Sequence, residues 1–198
     1  MGLGNPGPRF SNTRHNAGFW FVEQLAEYLG LSFRRPWFRP FLSARLGIGG
    51  HELVLVKPLV YMNRSAKALE VLFHKKQLLA ADLLVVVDQM DLPPGRAKLK
   101  LRGSSAGHNG LKSLDALLAP HSYARLALGI GRNSADVVAH VLGKPSPDDR
   151  AKIDALIRDL VPLVAEGWQD WEGLIYGVNH TTVAAAPEAE VEAVSPPS

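Results

Sequence analysis

The sequence predicts a single α/β domain, a mixed and mostly parallel twisted sheet flanked by helices on both faces. Three observations carry that expectation. Short β-branched apolar runs alternate along the chain with segments of helical periodicity, the pattern of a layered α/β fold. The length of 198 residues suits one substantial core and is short for two. A 46% hydrophobic and 21% charged composition is that of a globular chain, not of a disordered or fibrous one.

The elements follow in order. Val22, Leu25, Ala26 and Leu29 recur at three- and four-residue spacing and give a first helix one apolar stripe. Leu53–Lys57 reads as a buried strand. Ser65 is placed to N-cap a second helix that turns Leu69, Leu72 and Phe73 inward. Leu83–Val87 is a second continuous strand, and Asp88 follows it directly. Ala97–Leu101 alternates lysine with apolar residues and predicts a half-exposed strand. Leu111, Leu114, Leu117 and Leu118 mark a third helix stopped by Pro120, and Arg125–Ile130 is a further strand. A late helix opens near Pro147, buries Ile153, Leu156, Ile157 and Leu160, and is expected to kink or end at Pro162. The domain therefore runs over residues 1–182. From Val183 to Ser198 the chain is rich in Ala, Pro and Glu without an aromatic residue, which predicts a disordered tail.

Composition narrows the chemistry. With no cysteine, disulfides, thiolate metal sites and a cysteine nucleophile are excluded, and a reducing compartment, the cytoplasm, is the expected location. The chain opens on Gly-rich turn residues rather than a secretory signal, and no apolar run approaches the ~20 residues a membrane helix needs. Setting aside the tail's three glutamates turns a net charge of +3 into +6. A basic body suits a phosphate-bearing partner, although ordinary solubility charge explains it as well.

Five polar clusters stand at the junctions of these elements. Gly2-Leu3-Gly4-Asn5-Pro6-Gly7 has the spacing G-x-G-x-x-G, but no strand precedes it and Pro6-Gly7 makes a turn where a dinucleotide fold needs a helix. A tight turn presenting Asn5 is the better reading. Thr13-Arg14-His15-Asn16-Ala17-Gly18 puts a histidine immediately before the first helix. An isolated histidine is usually a satisfied polar residue. A helix N-terminus also disfavours the imidazolium, so a base here needs a carboxylate partner, and Asp88, at a strand's carboxyl end, is suited to the part. Tyr61-Met62-Asn63-Arg64-Ser65, Asp88-Gln89-Met90-Asp91-Leu92-Pro93-Pro94-Gly95 and Gly103–Gly110, which carries His108 and Asn109, complete the set. Taken singly, turn formation explains each of them.

In this order and spacing the five clusters, continued by Ala127–Arg132 (ALGIGR) and His140–Pro147 (HVLGKPSP), resemble bacterial peptidyl-tRNA hydrolases, a monomeric α/β family also found in organelles. The resemblance covers everything but the tail. It implies a cofactor-free, metal-free hydrolase that cleaves the ester between a peptide and the 3′ end of tRNA, recycling peptidyl-tRNA lost from ribosomes. No membrane and no obligate protein partner are expected. By that resemblance His15 is the catalytic base and Asp88 orients it. Asn5, Asn63 and Asn109 line the cleft, Met62 contributes to its wall, and Phe10 offers a stacking ring. His108 supports the site. Lys98, Lys100 and Arg125 are the phosphate-binding candidates, with Arg102 and Lys112 close in sequence.

The sequence departs from the family in several places. The family has an apolar strand just before the glycine motif, where this chain has Met1, as from a shortened chain or a misassigned start. Uncovered apolar surface and a loosely anchored Asn5 are the expected consequences. Phe10 replaces a frequent tyrosine, and Ala127 stands where many members carry an arginine that Arg132 is placed to replace. Gln89 and Ala66 stand where glutamate and glycine are common. A rival function is RNA binding without hydrolysis, as in plant organellar relatives that serve splicing; the retained His15, Asp88 and three asparagines favour the enzyme. A nicotinamide-dependent oxidoreductase rests only on glycine spacing.

Overall fold

A computed structural model describes residues 1–76, 79–132 and 136–183. The order is α1 (Ala17–Tyr28), β1 (Phe41–Ile48), β2 (His51–Pro58), α2 (Ala66–Lys76), β3 (Leu84–Gln89), β4 (Ala97–Lys100), α3 (Asn109–Leu118), β5 (Ala124–Gly129), α4 (Val137–Leu142), α5 (Pro147–Gly167) and α6 (Trp171–His180). The α/β class and the helices on two faces are as expected.

The sheet is less parallel than expected. β5 is central, pairing parallel with β3 and antiparallel with β4, while β1 and β2 form a separate antiparallel hairpin. The cause of the hairpin is local. Gly49 and Gly50 both have positive φ and close a two-residue turn in which Ile48 faces His51, so the strands return on themselves without a crossover. Gly2 links the two sheets. Its N–H donates to the Val56 carbonyl at 3.0 Å, and it bridges Val86 in parallel.

Strand alternation sorts the core into two layers. Val86 of β3 and Leu126 and Leu128 of β5 join α1, α5 and α6 on one face, whereas Val85 and Val87 join α2 and α3 on the other. Each large buried side chain contributes about 1.5–3 kcal/mol of transfer free energy. β4 alternates as read: Ala97 and Leu99 are buried, Lys98 and Lys100 exposed. Space remains between the hairpin and β3, a cavity of about 650 Å³ whose walls include Met1, Phe21, Leu25, Leu55, Leu72 and Leu84. Met1 and Leu3 of the glycine motif are themselves buried, so the apolar surface expected to be uncovered there is not exposed at those two residues.

Two helix expectations are sharpened by the structure. Ser65 does not cap α2 with its side chain; its hydroxyl donates to the Met62 carbonyl at 2.8 Å, and Ser113 Oγ accepts the Ala66 N–H instead. Pro162 does not end α5, which continues to Gly167 and leaves a kink as the remaining form of that expectation. Val183, read as the first residue of the tail, donates its N–H to the Gly95 carbonyl at 3.2 Å; residues 184–198, where the rest of that reading falls, lie outside the described residues.

Close backbone contact between α1, the glycine motif and β3 positions the site. A Cβ on Gly18 would fall 2.4 Å from the Val86 carbonyl oxygen and 2.6 Å from the Leu3 nitrogen, atoms fixed by the sheet. Gly18→Ala is therefore expected to lower stability by roughly 1–3 kcal/mol, the usual cost of overpacking. Urea unfolding checks this; a midpoint equal to that of the parent would contradict the fixed contact.

Candidate active site

The site is assembled from four junctions. The chain after Gly7 turns, with Thr13 Oγ1 donating to the Phe10 carbonyl at 2.8 Å and Trp20 Nε1 to the Ser11 carbonyl at 2.8 Å. This fixes a 3-10 turn at Arg14–Asn16 and aims His15 inward at the start of α1. Asp88 comes from the end of β3, at 3% exposure. His108 is the N-cap of α3, and Met62 and Asn63 lie in the 3-10 turn before α2.

These junctions bring two histidines to one carboxylate. His15 Nδ1 stands 2.9 Å from Asp88 Oδ1 and 3.0 Å from Oδ2, and His108 Nε2 stands 3.0 Å from Oδ1. The tautomers follow from the partners. His108 Nδ1 accepts the backbone N–H groups of Gly110 and Leu111, at 3.1 and 3.4 Å, so its proton is on Nε2, directed at Asp88. An ionised Asp88 only accepts, so His15 is protonated on Nδ1. Its Nε2 carries a lone pair and has no hydrogen-bond partner among the described residues.

Burial acts to raise the Asp88 carboxyl. Electrostatic attraction to His108 and His15 and the hydrogen bonds from both outweigh it and hold the group well below the usual carboxylate range. Asp88 is therefore an anion at any pH at which an imidazole can act as a base. The three groups also put potential metal-ligand atoms within 4.8 Å of one another. A cation there would compete with the two N–H donors that Asp88 already accepts.

Asn5 is held firmly, contrary to the expectation of loose anchorage. Its N–H donates to Asn16 Oδ1 at 2.8 Å, its carbonyl accepts Asn16 Nδ2 at 3.0 Å, and its Oδ1 accepts the Met62 N–H at 2.8 Å. Its Nδ2 keeps two donors without a described partner. Asn16 carries much of this order and was missed at the sequence level, although it lies inside the histidine motif. Met62 is buried; a Cβ on Gly110 would lie 2.6 Å from its Sδ and 3.1 Å from His108 Cε1, so the three pack together. Asn63 and Asn109 are exposed on neighbouring elements, the turn before α2 and the start of α3. Phe10 packs edge-on against Tyr61 with ring centroids 6.4 Å apart.

The basic candidates divide. Lys98 and Lys100 stand on the open face of β4, opposite Ala127 and Arg125 of β5. Arg125 is not free. Its side chain is 11% exposed, with Nη2 2.5 Å from Asp115 Oδ1 and Nη1 donating to the Ser104 carbonyl at 2.7 Å. Tyr123 shares the same carboxylate oxygen, at 2.7 Å. Arg125 thus braces the loop leading to His108. Arg132 is occupied by Asp91 at 2.8 Å, which also accepts the Gln89 amide at 3.0 Å. Arg14, adjacent to His15, donates to the carbonyls of His140 and Lys144 and so ties its turn to the segment joining α4 and α5.

Comparison with known proteins agrees with this architecture. A family described as peptidyl-tRNA hydrolase matches residues 1–184. A peptidyl-tRNA hydrolase of Halorhodospira halophila is 43% identical over 161 residues, covering 80% of this chain and 82% of the relative. One of Nitrosospira multiformis is 42% identical over 172 residues, covering 84% and 90%. A crystal structure of peptidyl-tRNA hydrolase from Acinetobacter baumannii superposes with a TM-score of 0.87 at 35% identity, covering 92% of this chain and 94% of that one. A complex of peptidyl-tRNA hydrolase with propanol gives 0.86 at 34%.

Proposed function

Since the chain belongs to the peptidyl-tRNA hydrolase family, we propose that His15 is the general base of its reaction, that Asp88 orients His15, and that the asparagines hold the substrate. The reaction is hydrolysis of the ester joining a peptide to the 3′ end of tRNA. One observation carries the assignment: His15 presents Nδ1 to both oxygens of a buried carboxylate and leaves Nε2 free.

Water is the nucleophile. His15 Nε2 takes a proton from it as the oxygen attacks the ester carbonyl, and Asp88 stabilises the imidazolium that forms. The imidazolium returns that proton to the departing ribose oxygen. The products are a peptide carboxylate and a free tRNA hydroxyl. Asn5 Nδ2, fixed by the bonds to its other amide atoms, is a preorganised donor for the developing oxyanion. Asn63 and Asn109 offer exposed amides able to grip peptide backbone or ribose without reading side chains. Met62 walls the cleft and Phe10 gives it a ring. His108 keeps Asp88 in place. Single-turnover cleavage of peptidyl-tRNA by His15→Ala tests the proposal, and an unchanged rate would remove His15 from the reaction.

Lys98 and Lys100 are assigned to tRNA phosphates, with Arg125 reaching them only by leaving Asp115. Lys98→Ala is expected to raise KM for peptidyl-tRNA, to flatten its log–log dependence on salt by about one unit of slope, and to spare minimal ester substrates. Equal losses on both substrate types would refute the phosphate role.

A further inference from the structure

Between α1 and β1 the chain exposes two aromatic side chains that nothing in the catalytic site uses. The turn Pro36–Arg39 is closed by the Arg39 N–H donating to the Pro36 carbonyl at 3.2 Å. Trp37 and Phe38 occupy its corners at 87% and 95% exposure, their rings T-shaped with centroids 5.8 Å apart. Phe38 has a φ of +53°, the left-handed region that a large side chain rarely adopts and that costs about 1–2 kcal/mol. An adjacent pair of exposed rings on strained backbone is what a binding surface looks like, not what folding selects.

The surroundings specify the partner's chemistry. Arg34 and Arg35 are exposed, Arg39 is half-buried, and Leu31–Pro40 contains no acidic residue. None of the three guanidinium groups has a hydrogen bond or ion pair among the described residues. Uncompensated cations interleaved with free ring faces suit a polyanion that carries flat bases.

The turn also stands beside the cleft. The Leu59 N–H donates to the Pro40 carbonyl at 2.7 Å, and Tyr61 follows two residues later. Tyr61 packs on Phe10, over which the Arg9 guanidinium lies 4.8 Å from the ring centroid. Arg9, Phe10 and Tyr61 thus form one cation-and-ring group after the glycine motif, and the Leu59–Pro40 backbone bond ties the segment before Tyr61 to the turn.

We propose that the Arg34–Pro40 turn is a second RNA contact, in which an unpaired base stacks on Trp37 or Phe38 while Arg34, Arg35 and Arg39 meet the flanking phosphates. This rests on peptidyl-tRNA being the substrate and extends the binding surface away from the reacting ester. It assigns the turn to substrate affinity and not to the chemical step.

The test is the affinity of the full chain for deacylated tRNA and for an unpaired oligoribonucleotide of ~10 nucleotides, within the site sizes of single-strand binders. The Trp37→Ala/Phe38→Ala variant is expected to bind both at least ~5-fold more weakly, with KM for peptidyl-tRNA raised to match and kcat unchanged. Trp37→Phe should restore most of the affinity. If the double variant is unstable, Arg34→Glu/Arg35→Glu leaves the rings in place and is expected to weaken binding likewise. Affinities equal to the parent's in both variants would overturn the proposal. So would a blue shift of Trp37 emission with phosphatidylcholine–phosphatidylglycerol vesicles and none with RNA, the signature of a lipid-facing turn. Binding of deacylated tRNA involves no ester, so this result is independent of whether His15 proves to be the base.

Discussion

Alanine at position 15 is expected to slow cleavage of peptidyl-tRNA by ~10²–10⁴-fold in kcat, the usual contribution of a positioned general base. KM is expected to change little, because the role proposed for His15 is toward water and the reacting oxygen and not the body of the tRNA. The geometry sets the specificity of this prediction. Nδ1 is committed to Asp88 at 2.9 and 3.0 Å, so Nε2 alone remains to take the proton. Asn5, Met62 and Asn16 are fixed to one another without help from His15, so the variant should keep its fold and its oxyanion donor. A residual rate above that of uncatalysed hydrolysis is therefore expected. A variant that loses tRNA affinity as much as turnover would assign His15 to binding.

Some of this was legible in the sequence and some was not, for identifiable reasons. α1, α3 and α5 announce themselves through apolar spacing, and β2, β3, β4 and β5 through β-branched or alternating runs. β1 was missed because Phe41–Ile48 neither alternates cleanly nor forms a continuous apolar run; only Gly49-Gly50, the turn to β2, signalled a hairpin. α4 is too short to show a period. α6 contains Gly173 and Gly177, which hide the helix despite Asp170, whose side chain accepts the Gly173 N–H. At the site, motif order named His15 and Asp88, but that His108 shares the same carboxylate oxygen is a fact of tertiary geometry. The role of Asn16 depends on the backbone of a residue eleven positions away. No pattern in sequence distinguishes a free Arg125 from one held by Asp115.

Asp88→Asn is expected to be as damaging as loss of the base itself, ~10²–10⁴-fold in kcat, although it changes neither size nor shape. The reason lies in His108. Its Nδ1 is fixed as an acceptor by the N–H groups of Gly110 and Leu111, so its Nε2 must donate, and the new amide has to offer it the carbonyl oxygen. The amide NH₂ then takes the Oδ2 position, 3.0 Å from His15 Nδ1, while the oxygen shared with His108 stays 2.9 Å from it, so the pairing that favours a proton on Nδ1 is weakened. The population of His15 with its proton on Nε2 rises, and that tautomer cannot accept one from water. Three measurements follow. His15→Ala/Asp88→Asn should be little slower than either single variant, since both remove one function. Adding His108→Ala to Asp88→Asn frees the amide to turn its oxygen to His15 and should recover part of the lost rate; no recovery would reject the tautomer argument. Stability against pH supplies the third. The folded Asp88 carboxyl is depressed, so its contribution is fully present above the unfolded value near ~4 and is lost only as pH falls toward the folded one. Acid unfolding of the parent should therefore include a steep loss below about pH 4 that Asp88→Asn lacks, whereas identical acid limbs would mean that the carboxylate is not held by its two histidines.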